Sequence, residues 1–145
     1  MAENAHALAG ETASLNINIL GRDEMVIVTS RGAARELSRE LGFGIVDQTR
    51  IATALSEIVR NVVQYASEGE VQLRVIEDNG RPGLELVVVD QGPGIADVER
   101  VLEGGYSTAN GFGRGISGAR TLMDDFELES EVGRGTRVRM CKWLT

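Results

Sequence analysis

The sequence predicts a two-layer α/β sandwich, with one mixed, mostly antiparallel sheet and helices covering one of its faces. Three observations point there. Segments of apolar–polar alternation occur near the start, in the middle and at the end of the chain, the period of half-buried strands. Between them lie two stretches with apolar residues at helical spacing. The whole has 145 residues, room for a single domain in which those strands and helices must share one core.

The elements follow in chain order. Residues 1 to 14 are rich in Ala, Glu, Ser and Gly without a sustained apolar period and read as a flexible tail ahead of a single domain over 15–145. Leu15 to Leu20, LNINIL, alternates as a first strand. The β-branched run MVIVTS could be strand, but Ile27, Ala34, Leu37 and Leu41 keep a helical face and Gly42 is a natural stop, so a helix is expected from Asp23 or Glu24 to Leu41. Asp47 is placed to cap a second helix carrying Ile51, Leu55, Ile58, Val62 and Tyr65.

Beyond Gly69 the period changes. VQLRVIE and LELVVVD read as a hairpin across DNGRPG, whose Asn-Gly and Pro-Gly steps favour turns. A short helix about Asp97 to Leu102, a glycine-rich loop from Gly104 to Gly115 and a third helix from Arg114 or Gly115 to Asp124 come next. FELES and TRVRMCKWL close the chain as an antiparallel pair across VGRG.

Composition excludes several chemistries. A formal net charge of −7 does not suit a surface that must neutralise nucleic-acid phosphates. One cysteine and one histidine permit neither an internal disulfide nor a Cys/His zinc site nor a nucleophile–histidine pair. With no basic-then-apolar leader and no long apolar run, the sequence reads as a soluble cytoplasmic protein without a membrane partner. Cys141, alternating with Met140 and Lys142, reads as core; Arg134, Arg137 and Arg139 read as a solvated strand face.

Four local signals carry chemistry. Glu57 and Asn61 stand four apart on the second helix, about 40° around its axis, so a carboxylate and an amide share one face. Asp90 ends an apolar strand and is followed by Gly92, Gly94 and Ile95, an acceptor beside backbone that can approach a ligand closely. Gly111, Gly113 and Gly115 open the third helix before Ile116, as a phosphate cradle would. Gly135-Thr136 enters the last strand. Singly, each is an ordinary solvated face, turn, loop or strand start.

In this order the four together resemble the Bergerat (GHKL) ATP-binding family of gyrases, heat-shock chaperones, histidine kinases and mismatch-repair proteins. ELGFG-x-VDQ-x-RI-x-TA-x-SE-x2-RN-x3-YA, DQGPGI-x-D, G-x-ST-x2-G-x-G-x-G, LMD-x-F-x-L and a final KWL are similar, over residues 19 to 145, to bacterial serine-protein kinases of the RsbT type. The resemblance implies a histidine-kinase-like ATPase sandwich. It implies that Glu57 polarises the attacking hydroxyl, Asn61 ligates Mg²⁺, Asp90 bonds the adenine amino group above Gly92 and Gly94, and Thr136 helps hold adenine. It also puts Ile95, Ser107, Thr108, Gly111, Gly113, Arg114, Gly115 and Ile116 around the nucleotide.

By the same resemblance the protein phosphorylates a STAS-domain antagonist or scaffold in a stress-response partner switch. Once released, it activates a PP2C-type phosphatase. An anti-sigma factor, or a nucleotide-gated binding module without transfer, is the alternative reading. Many relatives carry a basic residue shortly after the Asn, where this chain has Gln64; Arg60 and Arg114 are the candidates to supply that charge.

Overall fold

A computed structural model describes residues 14–66, 68–103 and 115–145. Strand β1 (Ser14–Leu20) leads through a turn to helices α1 (Met25–Leu41) and α2 (Ile45–Asn61), and a π-helical turn over Val62–Ala66 extends α2. Then come β2 (Glu68–Asp78), β3 (Arg81–Asp90), the short helices α3 (Val98–Glu103) and α4 (Ile116–Leu122), β4 (Asp125–Glu131) and β5 (Gly135–Trp143).

The five strands form one sheet in the order β1-β2-β3-β5-β4. The expected mixed sheet is corrected: every pairing among the described residues is antiparallel. Hairpins join β2 to β3 and β4 to β5, and among the described residues no crossover links parallel neighbours.

The register builds the core row by row. Leu15, Leu73, Leu86, Met140 and Phe126 stand opposite one another across all five strands, and Ile17, Val71, Val88, Val138 and Leu128 form the next row. Against these rows lie Ile51, Leu55, Ile58 and Val62 of α2 and its extension, all buried. Helix α1 adds Val26, Ile27 and Ala34. Period 2 in the strands and 3.6 in the helices thus place one apolar face against another.

Local differences from expectation have local causes. Helix α2 starts at Ile45 after Gly44, so Asp47 is not its cap but a first-turn acid paired with Arg50 at 3.0 Å. The hairpin turns at Asn79-Gly80 alone, both with positive φ, 54° and 81°. Pro82 and Gly83 belong to β3, where Gly83 makes room for the Trp143 ring: a Cβ there would stand 2.6 Å from it. Helix α4 ends at Leu122, because Met123 is extended and the Asp124 N–H already bonds the Cys141 carbonyl of the sheet. Among the described residues no helix is long and apolar enough to cross a membrane.

Candidate functional site

The row next to the two apolar ones is polar. Ile19, Gly69, Asp90, Thr136 and Ser130 stand opposite one another across the five strands, on the helix-covered side. Gly69 leaves no room for a side chain: a Cβ there would stand 2.5 Å from the Val89 carbonyl oxygen and 3.1 Å from Val62 Cγ1, so α2's extension lies close over the sheet. Ile58, Asn61 and Val62 meet Val88, Asp90, Thr136 and Val138 around a cavity of about 10 Å³, room for about one water, with Ile116 of α4 as a further wall. Two neighbouring strands, a helix end and a second helix thus bring the acid, the amide and the threonine together.

Asp90 is 6% exposed. Its Oδ1 accepts the Gly92 N–H at 2.8 Å. Burial pushes its carboxyl above the usual carboxylate range, more than the N–H groups of Gly92 and Thr136 pull it down. A buried carboxylate with few donors is a strong acceptor for a ligand N–H.

Asn61 is buried and its Nδ2 has no hydrogen-bond partner. Such an orphan donor costs about 1–3 kcal/mol, which an acceptor such as a phosphate oxygen or a water would recover, leaving the amide oxygen free for a cation. Among the described residues no three His, Cys, Asp or Glu cluster as a metal cage. The donors suit an ion that keeps waters and phosphate oxygens and takes one or two protein ligands, as Mg²⁺ does.

Glu57 lies one turn before Asn61 but outside the cavity wall, half-exposed, with Oε2 3.3 Å from Arg60 Nη1. Gly115, at φ 90°, begins α4 beside it; a Cβ on Gly115 would stand 2.6 Å from Glu57 Oε2. Arg60 is thus engaged with Glu57, while Arg114 lies outside the described residues, as do Ser107, Thr108, Gly111 and Gly113. Arg22, from the turn after β1, donates to the Gln64 main-chain carbonyl at 2.7 Å.

The loop after Asp90 is held on the β4–β5 hairpin. Gly133 N–H bonds the Pro93 carbonyl at 2.9 Å, and Gly94, at φ 77°, lies so close to the Glu131 carbonyl that a Cβ would overlap it. Gly92 packs on Ala66, where a Cβ would stand 2.5 Å from the alanine's own. Ile95, buried, gives its N–H to Ser130 Oγ at 2.7 Å. Ser130 also lies 2.8 Å from Thr136 Oγ1 and donates to the Gly135 carbonyl at 3.1 Å.

Sequence reasoning missed Ser130, although a signal was present. Phe126, Leu128 and Ser130 share one face of β4, so a hydroxyl stands where the alternation calls for an apolar side chain.

Residues 23–142 match the histidine kinase-like ATPase domain family. The serine/threonine-protein kinase RsbT of Bacillus subtilis is 46% identical over 121 residues, covering 83% of this chain and 91% of that protein. An anti-sigma F factor of Caldanaerobacter subterraneus is 36% identical over 65% of this chain and 68% of its own length. Among solved structures, the mycobacterial sensor histidine kinase MprB superposes with a TM-score of 0.54 at 17% identity, over 90% of this chain and 97% of its own. A histidine kinase domain from Erythrobacter litoralis gives 0.52 at 21% identity, over 82% of this chain, which spans 59% of that one. Those two likenesses concern the fold. Sheet order, the polar row beside the helix amide and the sequence match agree, and the chain belongs to the histidine kinase-like ATPase family.

Proposed function

We propose that this chain is an ATP- and Mg²⁺-dependent protein-serine kinase of a bacterial partner switch. Its substrate is a serine of a STAS-domain antagonist or scaffold, and its second output, once released, is activation of a PP2C-type phosphatase. The observation that carries the reading is the meeting of Asn61, Asp90 and Thr136 on one cavity with Glu57 a helical turn away. The 46% identity to a serine/threonine-protein kinase supports transfer to a protein hydroxyl.

In this reading Asp90 accepts the adenine amino group and Thr136 adds a second polar contact on the facing strand. Asn61 would hold Mg²⁺ through its amide oxygen, and the ion supplies charge to the phosphates. Glu57 takes the proton from the serine hydroxyl as its oxygen bonds to the γ-phosphorus and the bond to ADP breaks. Phosphoryl transfer asks for positioning and charge neutralisation more than covalent help, so a site without histidine or cysteine is adequate.

The test is label transfer from ATP to a STAS-domain partner beside co-sedimentation with that partner. Glu57→Ala should lower transfer by about a hundred- to ten-thousandfold, the range of a lost general base, and leave docking nearly unchanged. Near-normal transfer by the variant would end the base assignment. The 36% identity to an anti-sigma F factor favours a second reading, direct binding of a sigma subunit. Capture of purified sigma factor without transfer to any STAS protein would select it.

A further inference from the structure

Ser130 touches three groups, yet none of the roles above uses it. Its Oγ accepts the Ile95 N–H at 2.7 Å, faces the Gly135 carbonyl at 3.1 Å and lies 2.8 Å from Thr136 Oγ1. A hydroxyl has one proton and two lone pairs. The Gly135 carbonyl can only accept, so that contact is a bond only when Ser130 points its proton there. One lone pair then takes the Ile95 N–H, and the other is left for the Thr136 hydroxyl proton. This is the one arrangement in which all three contacts are hydrogen bonds.

With its proton spent on Ser130, Thr136 Oγ1 has only lone pairs to offer the cavity it lines. Asp90 stands directly opposite on the neighbouring strand and lines the same cavity. Its carboxylate is likewise an acceptor. Two acceptors side by side match an amino group, which has two protons, and repel a carbonyl oxygen.

We propose that Ser130 is a positioning residue that fixes Thr136 as a hydrogen-bond acceptor and thereby helps the site choose a purine with a 6-amino group, as in ATP, over one with a 6-oxo group, as in GTP. The inference deepens the ATP reading and rests on it. Ser130 is absent from the lining of the small cavity that Asn61 shares with Asp90 and Thr136, although with those two strand residues it borders an open cleft at the β4–β5 end of the sheet; its role in the choice of base is exerted through Thr136.

The experiment is calorimetry of ATP and of GTP with Mg²⁺ on the full chain, as wild type, Ser130→Ala, Ser130→Thr, Thr136→Val and the Ser130→Ala/Thr136→Val double variant, each checked by thermal melting. Ser130→Ala should reduce the ATP/GTP affinity ratio about tenfold, the scale of one charge-free hydrogen bond. Ser130→Thr, which keeps the hydroxyl, should retain the wild-type ratio. In the Thr136→Val background, where no hydroxyl remains to orient, adding Ser130→Ala should leave the ratio unchanged.

A purely structural serine would weaken both nucleotides together and leave the ratio alone, which overturns the proposal. So does an equal loss of ratio with and without Thr136. Thr136→Val breaks the same bond from the other strand and should itself lower the ratio, so the question is answered even where Ser130→Ala folds poorly. A wild type that binds neither nucleotide refutes the ATP reading, and this inference with it; a discriminating wild type whose ratio survives in Ser130→Ala refutes the inference alone.

Discussion

Asp90 shows at the residue scale how a binding group can work against the ligand-free fold. Burial raises its pKa in the folded state above that of the unfolded chain. Its contribution to stability is therefore fully present below the unfolded value, about 3.9, and is lost as pH rises through the higher folded value. At neutral pH the ionised group is a cost. Asp90→Asn should melt above the wild type at pH 7, with the gain shrinking toward pH 3. Its ATP affinity should fall about ten- to a hundredfold, since the amide is a weaker acceptor. Melting curves across that range with ATP titrations at pH 7 test both halves; a wild type at least as stable as the variant at pH 7 would mean that the carboxylate is well solvated without ligand.

Helix α1 carries a comparable cost at the scale of one element. Ser30 and Ser38 are both fully buried on it, but only Ser38 is satisfied, donating to the Arg35 carbonyl at 2.9 Å. Ser30 Oγ has no partner. Ser30→Ala should therefore raise unfolding stability by about 1 kcal/mol, from the removed orphan and the better helix former. Ser38→Ala should give no such gain. Urea unfolding of the pair decides it: equal gains would show that burial alone, not the missing partner, sets the effect. Helix α2 differs again. Its last turn widens into a π-helical turn directly after Asn61, an irregularity that often marks a site and that brings Ala66 against Gly92.

The whole molecule has two unlike faces. One side of the sheet is covered by α1 and α2; the other, among the described residues, carries cross-strand charges. Glu85, buried on β3, is bridged by Arg74 of β2 at 3.0 Å and Arg139 of β5 at 2.6 Å, and Arg139 reaches Glu127 of β4 at 3.1 Å. Arg137 pairs with Glu129 at 3.3 Å. Of the three arginines expected on a solvated face, Arg134 and Arg137 make single exposed pairs, with Glu131 and Glu129, and only Arg139 is drawn into the Glu85 network. Cys141, on the same face, is fully buried, with its thiol pushed up to about 11 by burial. Glu85→Ala should cost about 2 kcal/mol, below the about 3–5 of a fully buried pair because Arg74 can turn to water. Glu127→Ala, at an exposed partner, should cost about 0.5 kcal/mol or less. Equal losses in chemical denaturation would mean that the network has no buried centre.

Strands, helices and their order were legible in the sequence because each buries one face, and one-sided burial imposes a period. The ends of Ile51, Leu55, Ile58 and Val62 on one helix face, and of Leu84, Leu86 and Val88 on one strand face, follow from that rule. Asn-Gly announced its turn by backbone chemistry, while the neighbouring Pro-Gly step misled because Gly83 serves the Trp143 ring and not a turn. Asp90, Asn61 and Thr136 were legible as a pattern of residue types in order. What no local rule could supply is register. Only the folded sheet decides that Gly69, Asp90, Thr136 and Ser130 share one row, that Val62 can descend over Gly69, and that Arg22 meets Gln64. Such meetings join residues far apart in the chain, and their energies depend on pairing that sequence periodicity leaves free to slide.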